Sequence, residues 1–308
     1  MQTKRYQTGL EKFNRIKNST NILYHLLFIV LSLVCVLPVI LILSISFSSE
    51  QSIQQFGYRL IPKMFSASSY LFLWRQHTLL FQALGISIFA TVVGTVVGTL
   101  LTTSMGYVLS RPAYRLKKFL TWIVFIPMVF NGGMVSSYFI NTSFLHLKNS
   151  VWALIWPLAV SSFNVIICKT FFKSTIPDSI VESAKIDGAT QLGIFFRIVL
   201  PISLPVLATI GLFLCFGYWN DWFQSMLYID NSSLYSLQAL LTQIMNNVDY
   251  LSQNSATMGI SVAEMARTMP AEGARMAIAV IIIVPIACVY PFFQKYFISG
   301  LTIGAVKG

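Results

Sequence analysis

The sequence predicts an all-α membrane protein with six transmembrane helices and both termini in the cytoplasm. Three observations carry that fold class. Of the 308 residues 56% are hydrophobic and only 10% charged, against roughly 25% charged in an average soluble domain. Six stretches stay apolar for about 20 residues, the length a helix needs to cross hydrocarbon with every backbone polar group paired. Lysine and arginine, 21 against 10 acidic residues, are spread unevenly among the intervening loops, which is how membrane topology is written into a chain.

The spans run over residues 22–47, 79–109, 119–139, 151–168, 204–228 and 276–297. The first is too long for the apolar core of a signal peptide, about 7–15 residues, and no small-x-small cleavage site follows it. The second carries Gly94, Gly98, Thr102 and Gly106 at i, i+4 steps, a stripe that lets another helix approach closely. Five basic residues precede residue 22, four lie in 110–118, four in 169–203 and two beyond 276. The loops 48–78, 140–150 and 229–275 hold three, one and two, although two of them are much longer. Short translocated loops avoid lysine and arginine, so the first set faces the cytoplasm. The chain therefore reads as a cytoplasmic N-terminal segment (1–21), one membrane domain (22–297) and a cytoplasmic tail (298–308).

Several function classes are disfavoured. Cys35, Cys168, Cys215 and Cys288 are far apart, and His25, His77 and His146 share no helical face, so neither a disulfide framework nor a metal site follows. The basic residues form no stripe with interleaved aromatics, which argues against nucleic acid. An ion-coupled carrier needs Asp, Glu or His along its path, or discontinuous helices in corresponding halves. Asp221, toward the outer end of the fifth span, is the nearest such group. No GxxxxGK[ST] phosphate loop is present, so energy for uphill transport must come from a partner.

The cytoplasmic segment 175–201 is too polar to span and too patterned for a slack loop. It reads as helix, turn, helix. Pro177 suits a first helical turn, with Thr175 and Asp178 at capping-box spacing and Ser179 and Glu182 as a competing pair. Ile180, Ala184 and Gly188 follow at i, i+4, while Glu182, Lys185 and Asp187 project elsewhere. Gly188 is placed to end the first helix, Thr190 to cap the second, and Pro201 to close it. Such a hairpin suits a groove on another protein; an amphipathic helix lying on lipid is the alternative.

Glu182-Ser183-Ala184, three residues, Gly188, nine residues, then Ile198-x-Leu200-Pro201 closely resembles the EAA loop of binding-protein-dependent ABC transporter permeases. The usual form is Glu-Ala-Ala-x3-Gly-x9-Ile-x-Leu-Pro, and this chain departs from it only at Ser183, a small-for-small change. The resemblance implies the type I ABC importer permease architecture, with the first short helix of the loop seated in a cleft of the ATPase. It further implies that Glu182 pairs with a basic residue there, that Ala184 and Gly188 allow close docking, and that Leu200-Pro201 returns the chain to the membrane. Ile186-Asp187-Gly188-Ala189 is similar to the carbohydrate-uptake branch. So are Tyr218-Trp219-Asn220-Asp221-Trp222, which resembles a segment in the fifth span of maltose-permease-type subunits, and the tail from Gln294 to Gly308. Leu234-Tyr235-Ser236-Leu237-Gln238 resembles a sub-branch associated with polysaccharide fragments.

What the resemblance implies is the membrane subunit of a bacterial ATP-driven importer for carbohydrate, in the cytoplasmic membrane and in contact with its lipid. It is not an enzyme. Its expected partners are a second homologous permease, two ATP-binding subunits that hold the ATP and magnesium, and an extracytoplasmic sugar-binding protein. A homodimer, or another small solute as cargo, remains open. Trp219 lies on the order of 22 Å along a helix starting at Leu204, in the outer part of the membrane. Asn220 and Asp221 can hydrogen-bond sugar hydroxyls there while Trp219 and Trp222 stack on sugar faces. Equally, the two tryptophans can form an interfacial belt, with Asn220 and Asp221 bonded inside the bundle. The outer loop 229–275 is long and capable of helical turns over 234–246. By the resemblance it contacts the sugar-binding protein; its plain alternative is a solvated cap.

Overall fold

The computed structural model describes residues 18–254 and 270–305. The expected cytoplasmic segment before residue 18, the stretch 255–269 of the outer loop and the end of the tail at 306–308 lie outside the described residues. All described elements are helical, and the β-type pairing among the described residues is an isolated bridge between Ser48 and Phe65. The chain divides into two compact units: residues up to Leu71 with Pro270–Val280, and Phe72–Met269 with the residues from Ile281 onward.

In the first unit, α1 (Asn18–Ser46) is apolar on all sides and open on all sides: Leu23 and Val34 are 65% and 64% exposed. A helix of this kind finds its partners in lipid or another subunit rather than in its own core. Its far end is tied down by serine hydroxyls. Ser44 donates to the Arg59 carbonyl at 2.7 Å, and Ser46 shares a 2.9 Å hydrogen bond with Tyr70. Next comes α2 (Glu50–Phe56), capped by Ser49, whose Oγ accepts from the Ser52 amide; α3 (Ser68–Trp74) follows. The Glu50 carboxylate then reaches the start of the last helix, accepting from the amides of Glu272 and Gly273 at 3.4 and 3.3 Å. These are orphan donors at a helix N-terminus, where a negative charge also meets the helix dipole. Tyr58 donates to Glu272 at 2.7 Å, and that hydrogen bond raises the Tyr58 pKa above the usual phenol value.

The spine of the second unit is α4 (His77–Ser110), 34 residues long. Its small-residue stripe is a packing seam. A Cβ on Gly94 would lie 2.4 Å from the Tyr218 ring, one on Gly98 2.7 Å from the Ala159 carbonyl oxygen, and one on Gly106 2.4 Å from the Cys168 Cβ. Lipid is as apolar as leucine, so a seam like this is held by van der Waals contact and buried hydrogen bonds rather than by expulsion of water. One such bond runs from the Tyr218 hydroxyl to the Ile155 carbonyl at 2.8 Å.

Several expected spans are broken, for visible local reasons. Residues 119–139 divide into α5 (Lys117–Val129) and α6 (Gly133–Phe139). Between them Asn131 Oδ1 accepts from the Gly133 amide, and Gly133 takes φ 83°, where glycine avoids the usual Cβ penalty. Residues 151–168 become α7 (Trp152–Ile155), a 3₁₀ turn containing Pro157, and α8 (Ser162–Thr175), bent by 52° and reaching seven residues past Cys168. The hairpin follows as α9 (Asp178–Ile186), α10 (Gln191–Ile194), a π turn and α11 (Leu200–Ile202). An 85° bend at Ser203 then leads into α12 (Leu204–Trp219). The fifth span stops at Trp219 and resumes as α13 (Phe223–Tyr228); α14 (Leu237–Asn254) and α15 (Ala271–Ala305) complete the fold. Among the described residues three helices are individually long and apolar enough to cross a membrane, and up to five crossings result if each bent pair counts as one.

Candidate functional site

The hairpin begins at a two-residue elbow. Ile176 and Pro177 are extended, and Pro177 is the N-cap of α9 without a side-chain cap bond. Neither expected capping box forms, because Thr175 is still the last residue of α8 while Ser179 and Glu182 lie inside α9. At the other end Gly188 takes φ 81°. The Ala189 amide reaches the Ala184 carbonyl at 2.9 Å and the Gly188 amide the Lys185 carbonyl at 3.0 Å, the paired bonds of a Schellman ending. Thr190 caps α10 as the sequence suggested, its hydroxyl accepting from the Gly193 amide at 3.1 Å. The turn is thus set by Gly188 and Thr190 together.

The inward stripe of α9 is Val181 and Ala184, which join Phe172, Ile176, Ile194 and Phe195 in one apolar cluster. Ile180 turns outward, so the expected Ile180–Ala184–Gly188 line is rotated by about one residue. Ser183 and Asp187 share the outward face with Ile180; together with Ala184 and Ile198 they border an open groove. Glu182 is exposed on another flank, beside Lys185, over a cavity of about 410 Å³ also lined by Tyr107, Tyr114 and Phe195. Leu200 packs against the apolar cluster and Pro201 is exposed at the start of α11. Ile186, which the sequence marks only through the branch resemblance, and Leu192, which no sequence pattern singled out, stand 86% and 71% exposed near the turn. Exposed apolar side chains suit a partner's groove, and their departure from the inward stripe was the available signal; Leu192 also lines the cavity beside Glu182.

The segment 218–222 is built differently. Tyr218 and Trp219 are buried, and Trp219 Nε1 donates to the Ile282 carbonyl at 3.2 Å. Asp221 Oδ1 accepts from the Gln224 amide at 3.3 Å, satisfying an orphan donor in the first turn of α13, while its carbonyl accepts from Ser236. Asn220 is exposed, bonding the Phe216 carbonyl at 3.0 Å, and Trp222 is exposed with its ring edge against Phe223. The candidates Trp219, Asn220, Asp221 and Trp222 are together in space, the first and third facing inward and the other two outward.

Within the outer loop, α14 buries Leu237, Leu241, Ile244 and Val248, spaced as one helical face, and packs on α4. Its start is fixed by serines with no sequence signature: Ser236 Oγ accepts from the Ala239 amide, Ser225 Oγ from the Ser236 amide, and Ser87 Oγ from the Leu237 amide at 2.7 Å. The neighbouring turn is closed by Asn149, at φ 56°, whose Oδ1 accepts from the Asp230 amide at 2.6 Å. Lys148 bridges to Asp230 at 2.9 Å and holds that carboxyl below the usual range, while its own ammonium is pushed up. Among the described residues no three His, Cys, Asp or Glu side chains come together as metal ligands would.

The chain is similar to known proteins over nearly its whole length. It is 40% identical to protein LplC of Bacillus subtilis over 89% of this chain and 90% of that one. It is 39% identical to the polygalacturonan/rhamnogalacturonan transport system permease protein YtcP of the same organism, over 90% and 94%. A third relative, the arabinooligosaccharides transport system permease protein AraQ of Bacillus subtilis, is 28% identical over 92% and 94%. Among solved structures, a chain of a bacterial ABC transporter involved in the import of the acidic polysaccharide alginate superposes with a TM-score of 0.76 at 27% identity, covering 95% of this chain and 99% of that one. No protein-family model matches the chain.

Proposed function

Because the chain belongs to the carbohydrate ABC transporter permeases, we propose that it forms half of an import pathway for oligosaccharides or polysaccharide fragments and takes its energy through the hairpin 178–201. Permeases of this family are membrane proteins that work with ATPase subunits and a substrate-binding protein. For this chain the assembly is one copy with a second homologous permease, two ATPases and an extracytoplasmic sugar-binding protein, in the bacterial cytoplasmic membrane. Six crossings follow if 117–144 is counted as a broken span alongside the two bent pairs, with the segment 1–21, the hairpin and the tail 298–308 in the cytoplasm.

The observation that carries the reading is the hairpin itself. Its turn is rigidly defined by Gly188 and Thr190, yet Glu182, Ser183, Ile186 and Asp187 are left exposed around it. A short helix with charge, small residues and an unburied isoleucine is complete only against a partner. Glu182 meets a basic residue of the ATPase, Ala184 and Gly188 allow the close approach, and Ile198, Leu200 and Pro201 fix the return into α12. In the segment 218–222, Asn220 and Trp222 face the sugar while Trp219 and Asp221 hold them in place. Names of relatives support cargo built from acidic or neutral sugars.

The test is purification of the intact complex with identification of the co-purifying subunits, followed by ATPase assays with binding protein loaded with galacturonate or arabinose oligomers. Sugar-stimulated hydrolysis by a complex of two permeases and two ATPases, on addition of the loaded binding protein, is the expected outcome. A chain that purifies alone, from a membrane extract in which the partners are expressed, refutes it.

A further inference from the structure

Arg111, one residue past the end of α4, turns both Nη nitrogens onto the elbow between α8 and α9 and its Nε back onto α4. Nε donates to Ser110 Oγ at 3.0 Å, Nη1 to the Ile176 carbonyl at 3.2 Å and to Asp178 Oδ1 at 2.9 Å, and Nη2 to the carbonyls of Phe172 and Ile176 at 3.0 and 3.2 Å. Arginine has five N–H donors, and all are committed. The side chain is 13% exposed, and its guanidinium lies 5.3 Å from the centre of the Tyr107 ring. Tyr107 in turn meets the rings of Phe172 and Phe195. The cation thus closes the carbonyl end of α8, where the helix dipole is negative, and holds Asp178 in the first turn of α9, where it is positive. On the Glu182 flank the backing of α9 is a cavity rather than packed side chains. Arg111 adds directed polar bonds to the apolar packing of Ile176, Val181 and Ala184 at the elbow.

We propose that Arg111 is a positioning residue that makes α9 move as one body with α4 and α8, so that displacement of the docked helix reaches the membrane seam at Gly106 and Cys168 instead of being absorbed at Ile176 and Pro177. The inference rests on the hairpin being the ATPase-docking element. Lysine does not replace arginine here, since a single ammonium carries three donors and no planar fork.

The test uses the complete transporter in proteoliposomes, measuring sugar taken up and ATP hydrolysed for wild type, Arg111→Ala, Arg111→Lys and Asp178→Asn. In Arg111→Ala the ATPase subunits stay bound in pull-downs and hydrolysis persists, while sugar per ATP falls on the order of tenfold, as loss of hydrogen bonds from a charged donor entails. Arg111→Lys recovers little of that ratio, and Asp178→Asn, altering one exposed acceptor, lowers it by about twofold. An unchanged ratio in Arg111→Ala, or full recovery in Arg111→Lys, overturns the proposal. If Arg111→Ala fails to assemble, Asp178→Asn decides, and an unchanged ratio there overturns it equally. Failure of the docking reading is seen separately, as ATPase subunits that remain bound to a Gly188→Asp permease.

Discussion

The hairpin 178–201 and the segment 218–222 carry the two most distinctive stretches of this sequence, and they divide their residues differently between open and buried positions. In the hairpin, burial is left to Val181, Ala184 and Ile194, while Glu182, Asp187 and Ile186 stand in the open. In the segment, Tyr218 and Trp219 are consumed by the fold, one against Gly94 and the Ile155 carbonyl, the other on the Ile282 carbonyl. The contrast teaches that an unusual motif in a membrane chain serves either an absent partner or the chain's own packing. Substitutions separate the two: an outward motif loses coupling with stability intact, and an inward one loses stability first.

The largest effect is expected from Gly188→Asp and Glu182→Lys. Both should insert normally and lose ATPase association, with uptake reduced by roughly 100-fold, as for a mispaired charge at a docked surface, which costs several kcal/mol. Normal pull-down of the ATPases with both variants would place the hairpin on the inward side of the comparison. Gly106→Leu should act in the opposite way. Its side chain has no room beside Cys168, and overpacking costs about 1–3 kcal/mol or more, read as a lower melting temperature of the purified subunit. Trp222→Ala and Asn220→Ala should raise the half-saturating sugar concentration about threefold to tenfold, the value of one or two lost contacts, without moving the melting temperature. Unchanged uptake in both would assign Trp222 to an aromatic belt.

Tyr218→Phe is a finer probe, since it removes the hydroxyl and leaves the ring on Gly94. A hydrogen bond between membrane helices averages about 0.6 kcal/mol, so a small thermal shift with normal sugar per ATP is expected. The smallest effect belongs to Lys148 and Asp230. Asp230 has its pKa lowered in the folded chain, so its contribution is present above the unfolded carboxylate pKa and is lost as pH falls through the folded value. The ion pair is exposed, and Asp230→Asn should flatten only a slight acid sensitivity of the 146–150 turn, measurable by hydrogen exchange of the Asp230 and Asn231 amides.

Composition and local spacing made much of this legible. The long helices α1 and α4 follow the expected spans within a few residues, because an unbroken apolar run admits no other backbone in lipid. The turn at Gly188 and Thr190 was readable for the same reason, each residue being the usual solution to a helix end. The breaks were not. At residues 130–132 and 159–161 hydropathy continues across the interruption, and an average over the window cannot register a single positive φ or a proline in a 3₁₀ turn. Arg111 was visible only as one more topogenic cation, since its partners Phe172, Ile176 and Asp178 lie 61 to 67 residues away. Trp219 likewise meets a carbonyl 63 residues distant. Contacts of that separation leave no trace in local pattern.

The length of α4 carries a consequence for the surrounding lipid. Its 34 residues extend about 51 Å, some 20 Å beyond a hydrocarbon layer of roughly 30 Å. A helix that overreaches its bilayer adjusts by tilting, and the tilt changes with acyl-chain length. Because Arg111 follows directly on the end of α4, a change of tilt is delivered to the elbow that carries α9. On the proposal that Arg111 ties α9 to α4, the same permease in shorter or longer lipids would run at different sugar yields for the same ATP.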